Sequence, residues 1–293
     1  MLYYLLVNLC VTAMCRMLGV IWRNSNGAKL VAKLTKLLHE AASNDYLLKE
    51  LTDNYRHCDG YGYLILYDNG EGLKLIIEKF DAYDSLSVSN DICSANLKAL
   101  ESTVNKLAKL IEESRKGLLI LHARKAGKGE PRGMMHAHPY IEGIASKNGY
   151  RLIALAHNGS IDKKPLAKLI GVNPNAYTDT HILTLWLTKQ LMREGDIELV
   201  LKEAHQYTRT ALNVVIADVE VRERLKAVLY AYSYISEKIK DERRLKYYKP
   251  VFFKTLGAEG FISSTVKLLA ERHNLNLGNI SEKTTYLLSA SIS

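Results

Sequence analysis

The chain is poor in the features that fix a class at once. Only five prolines and 18 glycines are spread over 293 residues, which excludes collagen-like and low-complexity proteins. No apolar run reaches the roughly 20 residues that span a bilayer, so the sequence does not read as an integral membrane protein. The four cysteines, Cys10, Cys15, Cys58 and Cys93, show neither the C-x-x-C spacing of a zinc or redox site nor the density of a disulfide scaffold. A reducing cytoplasm is the simplest home for such a chain. Charge is not dominant either: 24% of residues are charged and 47% hydrophobic, enough apolar material for a sizeable core and too little charge for a disordered polyelectrolyte. One large domain or two ordinary ones fit the length. The excess of 40 Lys+Arg over 31 Asp+Glu gives +9, but the bases are spread over segments such as 28–40 and 221–246, read as solvated helical faces. Nucleic acid is therefore disfavoured as a partner.

Residues 1–14, MLYYLLVNLCVTAM, carry no charge. They lack the basic start of a secretion signal, and Met14 is too large for a small-residue cleavage site. Either translation starts at Met14 or the stretch is a propeptide; both leave Cys15 as the first residue of the mature chain. The plain alternative is a first strand over residues 2–7 with Cys15 as a small buried hydrophobe.

Beyond this stretch, residues 15–22 read as a strand. Leu30, Val31, Leu34, Leu37, Leu38 and Ala41 place an apolar stripe on a helix over 28–42. Residues 61–67 and 73–80 are β-rich runs around an Asp-Asn-Gly-Glu-Gly turn, a hairpin signal. A second amphipathic helix covers about 96–113. Short apolar runs follow at 118–122 and 151–157, then helices at 177–192, capped by Thr178 or Asp179, and at 197–206. Further strands are expected over 211–218, 226–235, 247–255, 260–266 and 284–288. About ten strands with two pairs of helices and no linker point to one α+β domain over 15–293.

Five short segments put reactive or glycine residues at the ends of these elements: Met14-Cys15-Arg16, His122-Ala123-Arg124-Lys125-Ala126, His136-Ala137-His138-Pro139, Leu155-Ala156-His157-Asn158-Gly159 and Tyr177-Thr178-Asp179-Thr180. Singly, each is weak: Asn158-Gly159 also suits a hairpin turn and Asp179 a helix cap. His136 and His138 alternate on an expected strand and could share a metal, but no third ligand at sensible spacing is evident apart from His122 or His157. In order, and with Arg56-His57-Cys58-Asp59-Gly60-Tyr61-Gly62, the segments resemble the glutaminase domain of class-II glutamine amidotransferases, members of the N-terminal-nucleophile hydrolase superfamily. The resemblance covers residues 15–181 and is faint beyond about residue 200, where Phe261-Ile262-Ser263-Ser264 looks like the family's late core strand.

That resemblance implies a four-layer αββα sandwich and hydrolysis of the side-chain amide of L-glutamine through a Cys15 thioester, with no cofactor and no metal. The chemistry fits the residue types. A thiol on a chain's first residue has its own α-amine within reach, and reference pKa values of about 7.7–8.0 and about 8.5 match the two for proton exchange. An amide nitrogen at Cys15 has no such basicity, so residues 1–14 must be absent from the active form. By resemblance, the Asn158 side chain and the Gly159 N–H form the oxyanion hole, Arg124 holds the substrate α-carboxylate, Asp179 accepts from its α-ammonium, and His138 and His157 wall the site.

The match also departs from the family. Lys125-Ala126-Gly127-Lys128-Gly129 stands where hexosamine-forming relatives have Trp-Ala-Thr-His-Gly, and His181 replaces the Glu after Thr-Asp-Thr. The expected form is a stand-alone glutaminase domain, residues 200–293 completing the sheets, with ammonia passing to a separate synthase subunit or simply released; a homo-oligomer is left open. Two rivals remain: an amidase acting on another amide, and a non-catalytic glutamine-sensing or scaffolding subunit if residues 1–14 stay attached.

Overall fold

A computed structural model describes residues 14–84, 91–146, 149–283 and 285–293. The chain runs through β1 (Arg16–Trp22), α1 (Ser25–Ser43), α2 (Tyr46–Lys49), β2 (Tyr61–Asp68), β3 (Leu73–Phe80), α3 (Ile92–Glu113) and β4 (Lys116–Ala123). It continues through β5 (Tyr140–Ser146), β6 (Gly149–Ile161), α4 (Lys163–Ile170), α5 (Asp179–Glu194), α6 (Ile197–Glu203), β7 (Thr208–Val221) and β8 (Leu225–Tyr234). It ends with α7 (Glu242–Tyr248), β9 (Val251–Lys254), β10 (Ala258–Ile262), α8 (Ser264–Arg272), β11 (Asn279–Ser281) and β12 (Thr285–Ile292).

Seven strands form one sheet in the order β11-β9-β10-β1-β4-β2-β3, and five form the other, β12-β8-β7-β6-β5. Every paired strand is antiparallel to its neighbour. All seven residues of β1 are buried, because both faces of this central strand are covered and no polar alternation is required. Edge strand β3 instead alternates exposed and half-buried positions. Met17, Ile21, Leu64, Leu118 and Ile120 of the larger sheet pack against Ala154, Val215, Ala217 and Leu229 of the smaller one. Helices α1, α3 and α8 cover the outer face of the larger sheet, and α4, α5 and α6 cover that of the smaller. The result is the expected α+β architecture: two antiparallel sheets face to face, with helices outside both. Among the described residues no helix is long and apolar enough to cross a membrane.

Several expectations are corrected. Residues 247–248 end α7, so the strand expected over 247–255 begins only at Val251, after Pro250. The strand expected over 260–266 stops at Ile262, and α8 follows. The basic stretch 221–246 is not one helix: it holds strand β8 and, at its end, the start of α7. His136 ends a 3-10 turn, and β5 starts only at Tyr140, so His136 and His138 do not alternate on a strand. Cys58 and Cys93, read as free thiols, are joined by a disulfide. A first strand over residues 2–7, Cys10 and position 284 lie outside the described residues.

Candidate active site

Cys15 sits one residue before β1, in the middle of the larger sheet. Arg16 pairs with Ala123 of β4, so the end of that neighbouring strand delivers His122, Arg124 and Lys125 to the same place. The second sheet supplies Asn158 from β6. The Cys15 N–H donates to Asn158 Oδ1 at 3.0 Å across 143 residues of sequence, and the Lys125 N–H donates to the Cys15 sulfur at 3.5 Å. The thiol is 2% exposed. Burial pushes its pKa up to about 11, against the lowering effects of the Lys125 N–H and the Arg124 charge, while Asp179 and Asp59 raise it further. Asn158 thus bonds the backbone nitrogen of Cys15, and the Arg124 and Asp179 charges, far away in sequence, act on its sulfur.

The Asn158-Gly159 pair is not a hairpin turn. Strand β6 runs on to Ile161, with an irregularity in its pairing to β7 just after Gly159. Gly159 has φ +148°, and a Cβ there would lie 1.9 Å from the carbonyl oxygen of Ala211. Both facts exclude a side chain. With Oδ1 engaged by the Cys15 amide, Nδ2 is the donor end of the Asn158 carboxamide.

The histidines form the wall behind this strand. His157 Nε2 donates to the Ala211 carbonyl at 3.0 Å and Nδ1 shares a hydrogen bond with Thr180 Oγ1 at 3.0 Å, and its backbone N–H donates to His138 Nδ1 at 3.3 Å. The His138 ring lies against that of His122, centroids 4.1 Å apart and planes tilted by 39°. The close approach is admitted by Gly62, where a Cβ would lie 2.4 Å from the His138 carbonyl oxygen. Burial drives the pKa values of His122 and His138 well below the ordinary value, and that of His157 down as well. Neutral rings so engaged are suited to holding β6 in place. Among the described residues no three His, Cys, Asp or Glu side chains converge as a metal site.

On the other side of Cys15 lies a buried network whose Met14, Arg16 and His57 stood in the motif segments but were given no role by the sequence. Met14 is 2% exposed, and its carbonyl oxygen accepts from His57 Nδ1 at 2.8 Å. His57 Nε2 meets Asp45 Oδ2 at 2.7 Å, the oxygen that also takes Arg16 Nε at 2.5 Å. Asp45 Oδ1 accepts from the amides of Leu47 and Leu48, as the cap of α2, and from Thr265 Oγ1 at 2.6 Å. The Arg16 guanidinium lies 3.9 Å from the Tyr247 ring centre. Burial works to raise the Asp45 pKa, but the Arg16 charge and the His57 hydrogen bond overcome it and hold the carboxyl well below the usual range. Both His57 nitrogens face acceptors, so the ring donates to both only as the imidazolium, held by Asp45 against the burial that lowers its pKa. The sequence signal was the Arg56–Gly62 segment; Asp45 had none beyond its capping position.

Arg124 occupies the third side. Its backbone is clamped, donating to the Gly60 carbonyl and accepting from the Asp59 N–H, each at 2.9 Å. The disulfide Cys58–Cys93, with Cα atoms 4.9 Å apart, fastens this Asp59 loop to α3. The side chain is 4% exposed, yet Nη1 is buried with no hydrogen-bond partner among the described residues. Asp179 is the first residue of α5, whose cap is Thr178; its carboxylate accepts from the Ile161 and Thr180 amides at 2.9 and 2.7 Å. It therefore ties the end of β6 to α5, and its charge acts on the Cys15 thiol. His136 lies partly exposed at the rim.

No family model matches the chain, and no curated protein matches it. A solved structure described as that of the allosteric regulatory enzyme of purine biosynthesis is similar at a TM-score of 0.45 and 16% identity, over 86% of this chain and 43% of that one. The chain thus spans less than half the length of that protein.

Proposed function

We propose that this chain, once residues 1–14 are removed, hydrolyses the side-chain amide of L-glutamine through a thioester on Cys15, as class-II glutamine amidotransferases do. The observation that carries the reading is the 3.0 Å contact from the Cys15 nitrogen to Asn158, with the Arg124 and Asp179 charges acting on the same sulfur. Removal of Met14 converts the Cys15 amide into an amine and opens a site that is buried in the intact chain. The amine takes the thiol proton, and the thiolate attacks the amide carbon of glutamine. Asn158 Nδ2 and the Gly159 N–H receive the oxyanion, a contribution of about 3–4 kcal/mol for each such donor. The tetrahedral intermediate collapses, the α-ammonium returns its proton to the leaving nitrogen, and ammonia departs. Water then attacks the thioester and releases glutamate. Arg124 holds the α-carboxylate and Asp179 the α-ammonium; His138 and His157 fix β6 behind them. Ammonia passes to an acceptor on a separate subunit or leaves with glutamate.

The rival sensing or scaffolding role is favoured by one feature: with Met14 attached, the nitrogen at position 15 is an amide and the thiol is closed to solvent. The intact mass of the protein purified from its native cells separates the two. A chain starting at Cys15 supports the glutaminase, and one that retains residues 1–14 supports the rival.

A further inference from the structure

Between Arg124 and Gly133 runs the loop that departs most from the amidotransferase pattern, and it is pinned at both ends. The Ala126 N–H donates to Asp59 Oδ2 at 2.8 Å, and Arg132 meets Asp59 Oδ1 at 3.2 Å. The Gly133 and Met134 amides donate to Asp81 at 2.9 Å and Asp84 at 2.6 Å. In the middle, the Glu130 N–H closes a turn onto the Gly127 carbonyl at 3.1 Å. The loop therefore holds Glu130 in a set, half-buried position.

Glu130 Oε2 is buried with no hydrogen-bond partner among the described residues. A sealed carboxylate oxygen without a donor costs free energy and persists where a donor arrives with a ligand. Burial pushes the Glu130 pKa up, as does the charge of Asp179, while Lys163 and Arg124 act the other way. Lys163 is engaged elsewhere, donating to the Tyr177 carbonyl at 2.7 Å. Arg124, 96% buried by its 4% exposure, keeps Nη1 without a partner. So one unpaired cationic donor and one unpaired anionic acceptor lie within electrostatic reach of each other and of Asp179 without pairing. A zwitterion satisfies both. Each Asp179 oxygen already accepts one backbone N–H, whereas a primary ammonium brings three N–H donors. A second carboxylate completes its coordination.

We infer that Glu130 is a specificity-determining residue that shares the substrate's α-ammonium with Asp179, so that the site takes free α-amino acids and rejects amides whose nitrogen is missing, acylated or peptide-bonded. The inference rests on the glutaminase reading and adds a residue and a substrate restriction to it. A site built to hydrogen-bond a group discriminates strongly against the analogue that lacks it.

The test compares ammonia release by the chain beginning at Cys15, unaltered or carrying Glu130→Gln or Glu130→Asp, on L-glutamine and on its des-amino analogue, the monoamide of glutaric acid. Glu130→Gln is expected to raise KM for L-glutamine at least tenfold with kcat within threefold, and to leave kcat/KM for the des-amino analogue unchanged. Glu130→Asp is expected to recover part of the loss. Unchanged KM, or an equal loss on both substrates, overturns the inference, the latter by assigning Glu130 to loop structure alone. An unaltered chain beginning at Cys15 that releases no ammonia from L-glutamine overturns the glutaminase reading and this inference together. Turnover that ignores position 130 overturns only the inference.

Discussion

The two flanks of Cys15 treat a buried carboxylate in opposite ways. On the Met14 side, both oxygens of Asp45 are met, by Arg16, His57, Thr265 and two amides, while the Arg16 guanidinium rests on Tyr247 with Nη1 and Nη2 buried and without a hydrogen-bond partner among the described residues. On the Arg124 side, Arg124 Nη1, Glu130 Oε2 and His136 Nδ1 are buried with no hydrogen-bond partner among the described residues. The closed set of donors around Asp45 holds a chain segment in place, while an unmet oxygen such as Glu130 Oε2 is open to a donor from a ligand. Under the proposed function, the first carboxylate positions the nucleophile and the second reads a substrate.

The contrast makes unequal demands on stability and activity. Asp45→Asn leaves Arg16 and His57 buried against a neutral partner, and should cost about 3–5 kcal/mol in urea unfolding at neutral pH. A loss below about 1 kcal/mol would erase the distinction between the flanks. The same carboxyl sets an acid limb. Its folded pKa lies below that of the unfolded chain, so its stabilisation is complete above the unfolded value of about 3.9 and is lost as pH falls toward the folded one. Asp45→Asn should flatten that part of the stability–pH curve.

The disulfide between the flanks comes next in size. Cys58 and Cys93 are 35 residues apart, and replacing both with Ser should destabilise the oxidised protein by about 2–4 kcal/mol, read from thermal or urea unfolding. Unchanged stability would mean that the Asp59 loop is held by its hydrogen bonds alone. Arg124→Met should show the smallest stability change, within about 1 kcal/mol, because the lost group has an unpaired buried nitrogen. Its kcat/KM for L-glutamine should nevertheless fall by about ten- to a hundredfold, the worth of a charged hydrogen bond. Stability and activity falling together would place Arg124 with the closed network.

Much of this arrangement was legible beforehand, and the remainder has identifiable causes. Strands β1, β4 and β6 announced themselves as apolar runs, and the reactive residues at their ends came with neighbours that made them recognisable. Helix α8 was hidden because Phe261-Ile262 runs directly into Ser263-Ser264-Thr265, a β-rich composition, although Val266, Leu269 and Ala270 fall on one helical face. Helix α7 was masked by Tyr247-Tyr248 standing next to Val251-Phe252-Phe253, with Pro250 the only break. Asn158-Gly159 reads as a turn from local propensity, but pairing with β7 keeps it extended. Asp45 and Glu130 belong to no motif, and their roles arise from partners, or the lack of them, that only the tertiary structure brings near.

The most direct test of the account places three chains side by side with L-glutamine and measures ammonia: the full chain 1–293, the chain beginning at Cys15, and the latter carrying Cys15→Ala. The account predicts release by the second alone, with all three folded by circular dichroism. Equal release by the chain that retains Met14, or by the alanine variant, would contradict it.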